Sequence, residues 1–152
     1  MSQLLDQLKS VLQPGMYIPE ELAALYEWIE TRHLYIDNDH GRIGFLFPED
    51  ELKTGWTKTE RPGGTHIEFA ASGNANVHYW FGHHREDVMN RLCVFAQTGA
   101  EGSEAAFWID DQGRQRIVHM GSGSGSILSC VLADNALDFL RLLAIGYDEI
   151  CW

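Results

Sequence analysis

The chain predicts an α+β fold: a central, mostly antiparallel β-sheet with N- and C-terminal helices packed against it, in one domain over residues 1–152. Three observations lead there. Apolar residues recur at helical spacing near both ends, short β-branched and aromatic runs fill the middle, and turn-forming clusters separate those runs. Helices flanking consecutive strands argue for helices laid on a largely antiparallel sheet. At 152 residues the chain is long enough to bury about 70% of the surface its unfolded form exposes, so a core forms without staples.

The first helix is marked by Leu4, Leu5, Leu8, Val11 and Leu12, and Pro14-Gly15 stops it. A second starts at Pro19, where Glu20 and Glu21 favour the positive helix end, with Leu22, Leu25, Tyr26, Trp28 and Ile29 on its buried face. Strands are predicted over 42–47, 65–70, 76–81, 92–96, 106–110, 116–120 and 127–133. The turns between them are 37–41, 72–74, 98–102 and 111–113, rich in Gly, Asn and Asp. Asp134 or Asn135 then caps an apolar helix over 136–145, and Gly146 follows as its C′ residue.

The charge is −11, with 22 acidic against 11 basic side chains. It is spread evenly, −6 over residues 1–76 and −5 over 77–152. Such a surface repels nucleic acid and anionic membrane, since affinity for phosphate comes mainly from Lys and Arg. It attracts a basic protein and speeds the encounter, although solubility alone also accounts for an acidic surface. No run of ~18 apolar residues suits a membrane span, and MSQLLDQLKSVLQPG lacks the basic start and apolar stretch of a secretory signal. Cys93, Cys130 and Cys151 show no C-x-x-C spacing, and the first two sit in strand-like apolar runs. They read as core thiols in a reducing cytoplasm.

Motifs for chemistry are sparse. Gly121-Ser122-Gly123-Ser124-Gly125-Ser126 leads into a strand rather than a helix, lacks a following lysine and fails the nucleophile-elbow pattern, so it reads as a loop. His78, His83 and His84 with Glu86 and Asp87 form the densest metal-like group among seven histidines, and His83 and Asp87 are four apart. No second anchor accompanies them, and a polar run after a strand reads as a solvated turn. His119 lies near Ser122 but alternates as a strand residue, without the oriented base–nucleophile pairing that covalent catalysis requires. The pairs Glu20/Glu21 and Asp110/Asp111 are sequence neighbours that point apart, unlike carboxylates that face one another across a substrate. No cofactor is implied.

Of five tryptophans, Trp28, Trp80 and Trp108 fall in apolar patterns and read as core. Trp56 lies in a polar stretch beside Glu49-Asp50-Glu51, where an aromatic near charge suits a protein interface or a fold-back onto the sheet. The apolar ending Ile150-Cys151-Trp152 leads us to expect a polar tail beyond it.

Three stretches resemble the SUKH superfamily, the bacterial immunity proteins related to the fungal Smi/Knr cell-wall assembly regulators. Ile18-Pro19-Glu20-Glu21-Leu22-Ala23-Ala24-Leu25-Tyr26 is similar to that family's proline-led opening helix. Arg91-Leu92-Cys93-Val94-Phe95-Ala96-Gln97-Thr98-Gly99, followed by Ala105-Ala106-Phe107-Trp108-Ile109-Asp110, is similar to its strand, glycine turn and strand. Ala133-Asp134-Asn135-Ala136-Leu137-Asp138-Phe139-Leu140-Arg141-Leu142-Leu143-Ala144 resembles its closing helix. Where the family usually has Asn-Gly after the opening helix, Glu30-Thr31-Arg32-His33 stands here.

The resemblance implies a non-catalytic protein-binding domain. Bacterial members commonly neutralise a secreted toxin, often a nuclease, by stoichiometric binding inside the cell. The −11 charge fits a decoy whose carboxylates occupy phosphate positions in a basic cleft. Candidate partner-binding residues are Glu49, Asp50, Glu51, Trp56, Asp110 and Asp111. Two other classes stay open: a regulatory scaffold binding an endogenous protein, and a small metal-dependent enzyme using His78, His83 and His84.

Overall fold

The first two elements are helices, α1 (Gln3–Val11) and α2 (Glu20–Thr31), in a computed structural model that describes residues 1–52, 66–99, 102–121 and 128–145. α1 starts where the Ser2 hydroxyl accepts the Leu5 amide at 3.2 Å, satisfying one donor that a helix start leaves open. Its buried stripe is Leu4 and Leu8, and that of α2 is Leu22, Tyr26 and Ile29. Trp28 leaves the core expected for it and is 40% exposed, with the Arg32 guanidinium 5.5 Å from its ring. At 3.6 residues per turn it sits roughly 120° round the helix from the buried line.

The hairpin β1 (Tyr35–Asn38) and β2 (Gly41–Gly44) follows; the sequence marks no strand at β1, whose last two residues, Asp37 and Asn38, fall in the expected 37–41 turn. Gly44 is required by packing: a Cβ there would stand 2.9 Å from Leu4 Cδ1 and 3.1 Å from Ile29 Cγ2, so both helices press directly on the strand. A short helix, α3 (Glu49–Leu52), comes next.

Residues 76–81 are not a strand. They turn into α4 (His78–Phe81), ended by Gly82 at φ +68°. Val77 and Trp80, three apart, pack into the core while Tyr79 is 73% exposed, which is helical rather than alternating burial. α5 (Glu86–Met89) takes in Glu86 and Asp87, the end of the run 83–87 read as a solvated turn; that run is mostly exposed, and Val88 and Met89 beyond it pack inward.

The main sheet has β3 (Leu92–Gln97), β4 (Glu104–Ile109), β5 (Gln115–Gly121) and β6 (Leu128–Ala133), antiparallel in the order β3-β4-β5-β6. Of the expected strand 65–70, Glu68 and Phe69 form single bridges, Glu68 to Gln97 and Phe69 to Gly44, joining the two sheets. α6 (Ala136–Ala144) closes the fold, capped by the Asn135 side chain on the Asp138 amide at 2.9 Å. The Gly121–Ser126 loop, apart from Gly121 itself, lies outside the described residues, as do Gly146, Cys151 and Trp152.

Both sheet faces are apolar. Cys93, Phe95, Phe107 and Ile117 meet α1, α2 and α6, whereas Leu92, Val94, Val118 and Met120 meet Val77, Trp80, Val88 and Met89. Trp80 and Trp108 are only half-buried at the rim of this second core. Cys93 is a core thiol, pushed up to about 12 by burial. Cys130 is exposed, against expectation, because its strand is the last in the sheet. Among the described residues no helix is long and apolar enough to cross a membrane.

Candidate functional site

The acidic run folds as a ridge. Pro48 O accepts the Glu51 and Leu52 amides at 3.0 and 3.2 Å, which closes the single turn of α3. Leu52, 4% exposed, pins that turn to the core, and Glu49, Asp50 and Glu51 are all exposed. Carboxylates at the start of a helical turn are favoured by its unsatisfied N–H groups. Trp56 lies outside the described residues.

Asp110 and Asp111, adjacent in sequence, have different surroundings. The Asp110 side chain is 4% exposed. Its Oδ1 accepts the Gln112 and Arg114 amides, both at 2.9 Å, and its Oδ2 accepts Arg114 Nε at 2.9 Å. Arg116 Nε stands 3.4 Å from the same oxygen. Burial works against this charge, but the two amides and the Arg114 guanidinium outweigh it and hold the carboxyl below its ordinary value. Asp110 therefore organises the β4–β5 turn from within and offers a partner almost no surface. Asp111 points outward, 82% exposed, with Arg91 Nη2 on its Oδ1 at 2.8 Å.

The register separates these groups further. Gln97 pairs with Glu104 and with Glu68, whose neighbour Phe69 pairs with Gly44. The chain thus leaves β2 for α3 toward the β3–β4 end of the sheet, whereas Asp110 and Asp111 lie at the far end of β4. A six-residue strand spans roughly 20 Å, so the two acidic groups are not one cluster.

The histidines do not converge on a point. His78 and His84 rings stack with centroids 4.4 Å apart, and His83 lies 6.1 Å from the Phe81 ring. His83 Nδ1 accepts the Arg85 amide at 3.2 Å, and Asp87 is ion-paired with Arg85, which holds its carboxyl below the usual range. His83 and Asp87 share no helix face, because α5 begins only at Glu86. Among the described residues, no group of three His, Cys, Asp or Glu could hold a metal.

Sequence reasoning missed a buried polar contact. His119, 6% exposed, shares a hydrogen bond of 3.2 Å between its Nε2 and the fully buried Thr98 hydroxyl. The only signal was alternation, which puts His119 across from Ala105 on the helix-covered face. Thr98 is inaccessible to a substrate, so the pair ties β5 to the β3–β4 hairpin.

The described residues form several concavities. A cleft of about 460 Å³ lies between the start of α2, β5 and the start of α6. Its Gln115 side chain pairs with the Tyr17 backbone, accepting the amide at 3.0 Å and donating to the carbonyl at 2.8 Å. Its Arg116 is tied to Asp110 and Asp134. An apolar groove of about 250 Å³ lies on the other sheet face, bounded by Phe81, Val88, Trp108, Val118, Met120 and Val131.

In that second core, Trp80 Nε1–H donates to Glu104 Oε2 at 3.1 Å. Burial raises the Glu104 carboxyl above its ordinary value, against the smaller opposing effect of that bond. The folded chain then holds this proton more tightly than the unfolded one, so stability falls as pH rises through the carboxylate range. Glu104→Gln keeps an acceptor for Trp80 and removes the charge. It is expected to raise Tm by a few degrees at pH 7 and to give no gain below the ordinary glutamate value of 4.5. Thermal melts at the two pH values check both halves.

Comparison with protein-family models, curated proteins and solved structures returns no match for this chain.

Proposed function

We propose that this chain is an immunity protein, a non-catalytic domain that neutralises a basic toxin of the nuclease type by stoichiometric binding. The observation that carries this reading is the exposed ridge Glu49-Asp50-Glu51 on a chain of charge −11. Three exposed acidic side chains on one helical turn, anchored by buried Leu52, add negative charge that a cleft built for phosphate attracts. The resemblance to the SUKH superfamily supplies the biological setting, a toxin met inside the cell. Asp111 is a peripheral contact in this reading, and Asp110 serves the fold.

The test is capture on the immobilised chain from the native lysate at low and raised salt, with the retained proteins identified by mass spectrometry. One basic, toxin-like protein should be retained at low salt and released as salt rises, because exposed charges are screened within about 8–10 Å. Reversal of the ridge by Glu49→Lys, Asp50→Lys and Glu51→Lys should lower its affinity by about tenfold or more, with an unchanged circular dichroism spectrum. Recovery of only neutral endogenous proteins, or a captured partner indifferent to salt and to the reversal, would overturn the reading.

A further inference from the structure

The two edges of the main sheet are treated differently. The outer edge of β3 is paired: Glu68 and Gln97 exchange both amide hydrogen bonds at 2.8 and 2.9 Å, and Val94 exchanges with Gly73 at 2.7 and 3.1 Å. Among the described residues nothing pairs with the outer edge of β6. Natural proteins usually blunt such an edge with lysine, proline or a bulge, because it templates pairing with another chain. Here the stretch Leu128-Ser129-Cys130-Val131 has no charge and no proline, and its register against β5 is unbroken from Val118↔Val131 to Gly121↔Leu128. The bulge of this pair falls beyond it, at Leu132. All four residues are exposed, Leu128 at 60% and Val131 at 41%.

The edge also opens onto the apolar groove. Val131 is cross-strand from Val118 and so faces the side on which Val118, Met120 and Trp108 form the groove floor, with Phe81, 37% exposed, on its wall. Open backbone donors and acceptors beside an apolar trough are the two components of strand addition: main-chain bonds supply affinity, and alternate side chains fill the groove.

We infer that β6 and this groove receive an extended, lysine- or arginine-bearing segment of a basic protein, which adds to the sheet as a fifth strand. Charge decides between occupants. A second copy would bring two chains of −11 together, whereas a basic segment meets complementary charge overall. Just past the strand's end lie the Asp134 and Asp138 side chains, 71% and 47% exposed and each ion-paired with an arginine, Arg116 and Arg141, so the attraction comes from the net charge of the chain. This deepens the immunity reading and rests on its premise that the partner is a basic protein, but its test does not depend on finding that partner.

The probe is a synthetic peptide of alternating valine and lysine added to the full chain, with an alternating valine–glutamate peptide as the control. The basic peptide should bind with salt-weakened affinity and slow hydrogen exchange of the amides of residues 128–131. Leu128→Lys and Val131→Lys, exposed changes that blunt the edge, should each weaken binding about tenfold or more. Equal binding of the acidic peptide, binding that leaves the β6 amides exchanging freely, or a free chain of twice 17.2 kDa by light scattering that the lysine variants return to one copy, would each overturn the inference. Should the native partner respond to the α3 reversal while the β6 amides stay unprotected, strand addition fails and the immunity reading stands. Should the peptide protect β6 while no basic partner is captured, the reverse holds.

Discussion

Phe95→Ala is expected to cost about 3–5 kcal/mol, the range for deleting a fully buried aromatic side chain. Phe95 is 0% exposed at the centre of the core. Its ring stacks on Phe107 with centroids 4.6 Å apart and meets Phe139 edge-on at 5.5 Å, so one side chain joins β3, β4 and α6. Each aromatic pair adds about 0.5–1.5 kcal/mol beyond area burial. Alanine would leave a cavity walled by strand backbone, which cannot collapse without breaking the ladder. Native domains have about 5–15 kcal/mol in all, so the variant should be partly unfolded or melt far earlier. Urea unfolding checks it: the midpoint should fall with little change of slope. Phe95→Leu, which keeps most of the volume, should lose distinctly less. A loss below about 1 kcal/mol would place Phe95 outside the core's centre and contradict the packing described.

The elements the sequence reveals best are those buried on one side. Leu4 and Leu8, or Leu22, Tyr26 and Ile29, must recur at helical period because solvent wets the other face of each helix. β3, β4 and β5 are legible for the opposite reason: with apolar cores on both faces, Cys93 and Phe95 serve one and Leu92 and Val94 the other, giving a continuous apolar run. Segments such as 76–81 fail because Val77 and Trp80 show helical spacing for a single turn only, and aromatic content argues for a strand. The site was less legible than the fold. Asp110 looks like any surface aspartate until its carboxylate is seen turned onto Gln112 and Arg114, although Asp followed by Gly113-Arg114 is the pattern of a side-chain-closed turn. The Thr98–His119 contact spans 21 residues and carries no local signal. Which strand is last in the sheet is a matter of topology, so neither the edge position of β6 among the described residues nor the exposure of Cys130 could be read along the chain.

Arg42→Ala is the second large loss expected, about 2–3 kcal/mol, and it bears on the ridge directly. Arg42 Nη1 stands 3.3 Å from Glu30 Oε1, and both side chains are some five-sixths buried, 16% and 14% exposed. The same Glu30 oxygen accepts the Leu4 amide at 3.0 Å, so Glu30 links α2 to α1 and to the hairpin. The Arg42 guanidinium lies 3.6 Å from the Tyr35 ring centroid and forks onto Asp37 at 2.8 and 2.9 Å. Charged hydrogen bonds contribute about 1.5–3 kcal/mol and a cation–π contact about 0.5–2, while the Asp37 arm is half in water and adds little. The backbone of residue 42 stays held by the Gln7 amide, at 2.7 and 2.9 Å, so the hairpin should loosen rather than detach. Arg42→Lys keeps the charge without the planar fork and should recover less than half of the loss. The Arg42 hydrogen bond holds the Asp37 carboxyl below its ordinary value of 3.8, so that part of the stability is present above this value and disappears as pH falls through the lowered one. The gap between wild type and Arg42→Ala should therefore narrow in acid, which unfolding at pH 7 and pH 3 measures. Because α3 begins five residues after Gly44, loosening the hairpin displaces the ridge without altering its charge. In the proposed complex Arg42→Ala should weaken binding with the salt dependence largely kept, whereas reversal of Glu49, Asp50 and Glu51 should flatten it. A salt slope flattened equally by both would mean that Arg42 acts through charge, and the positioning argument would fall.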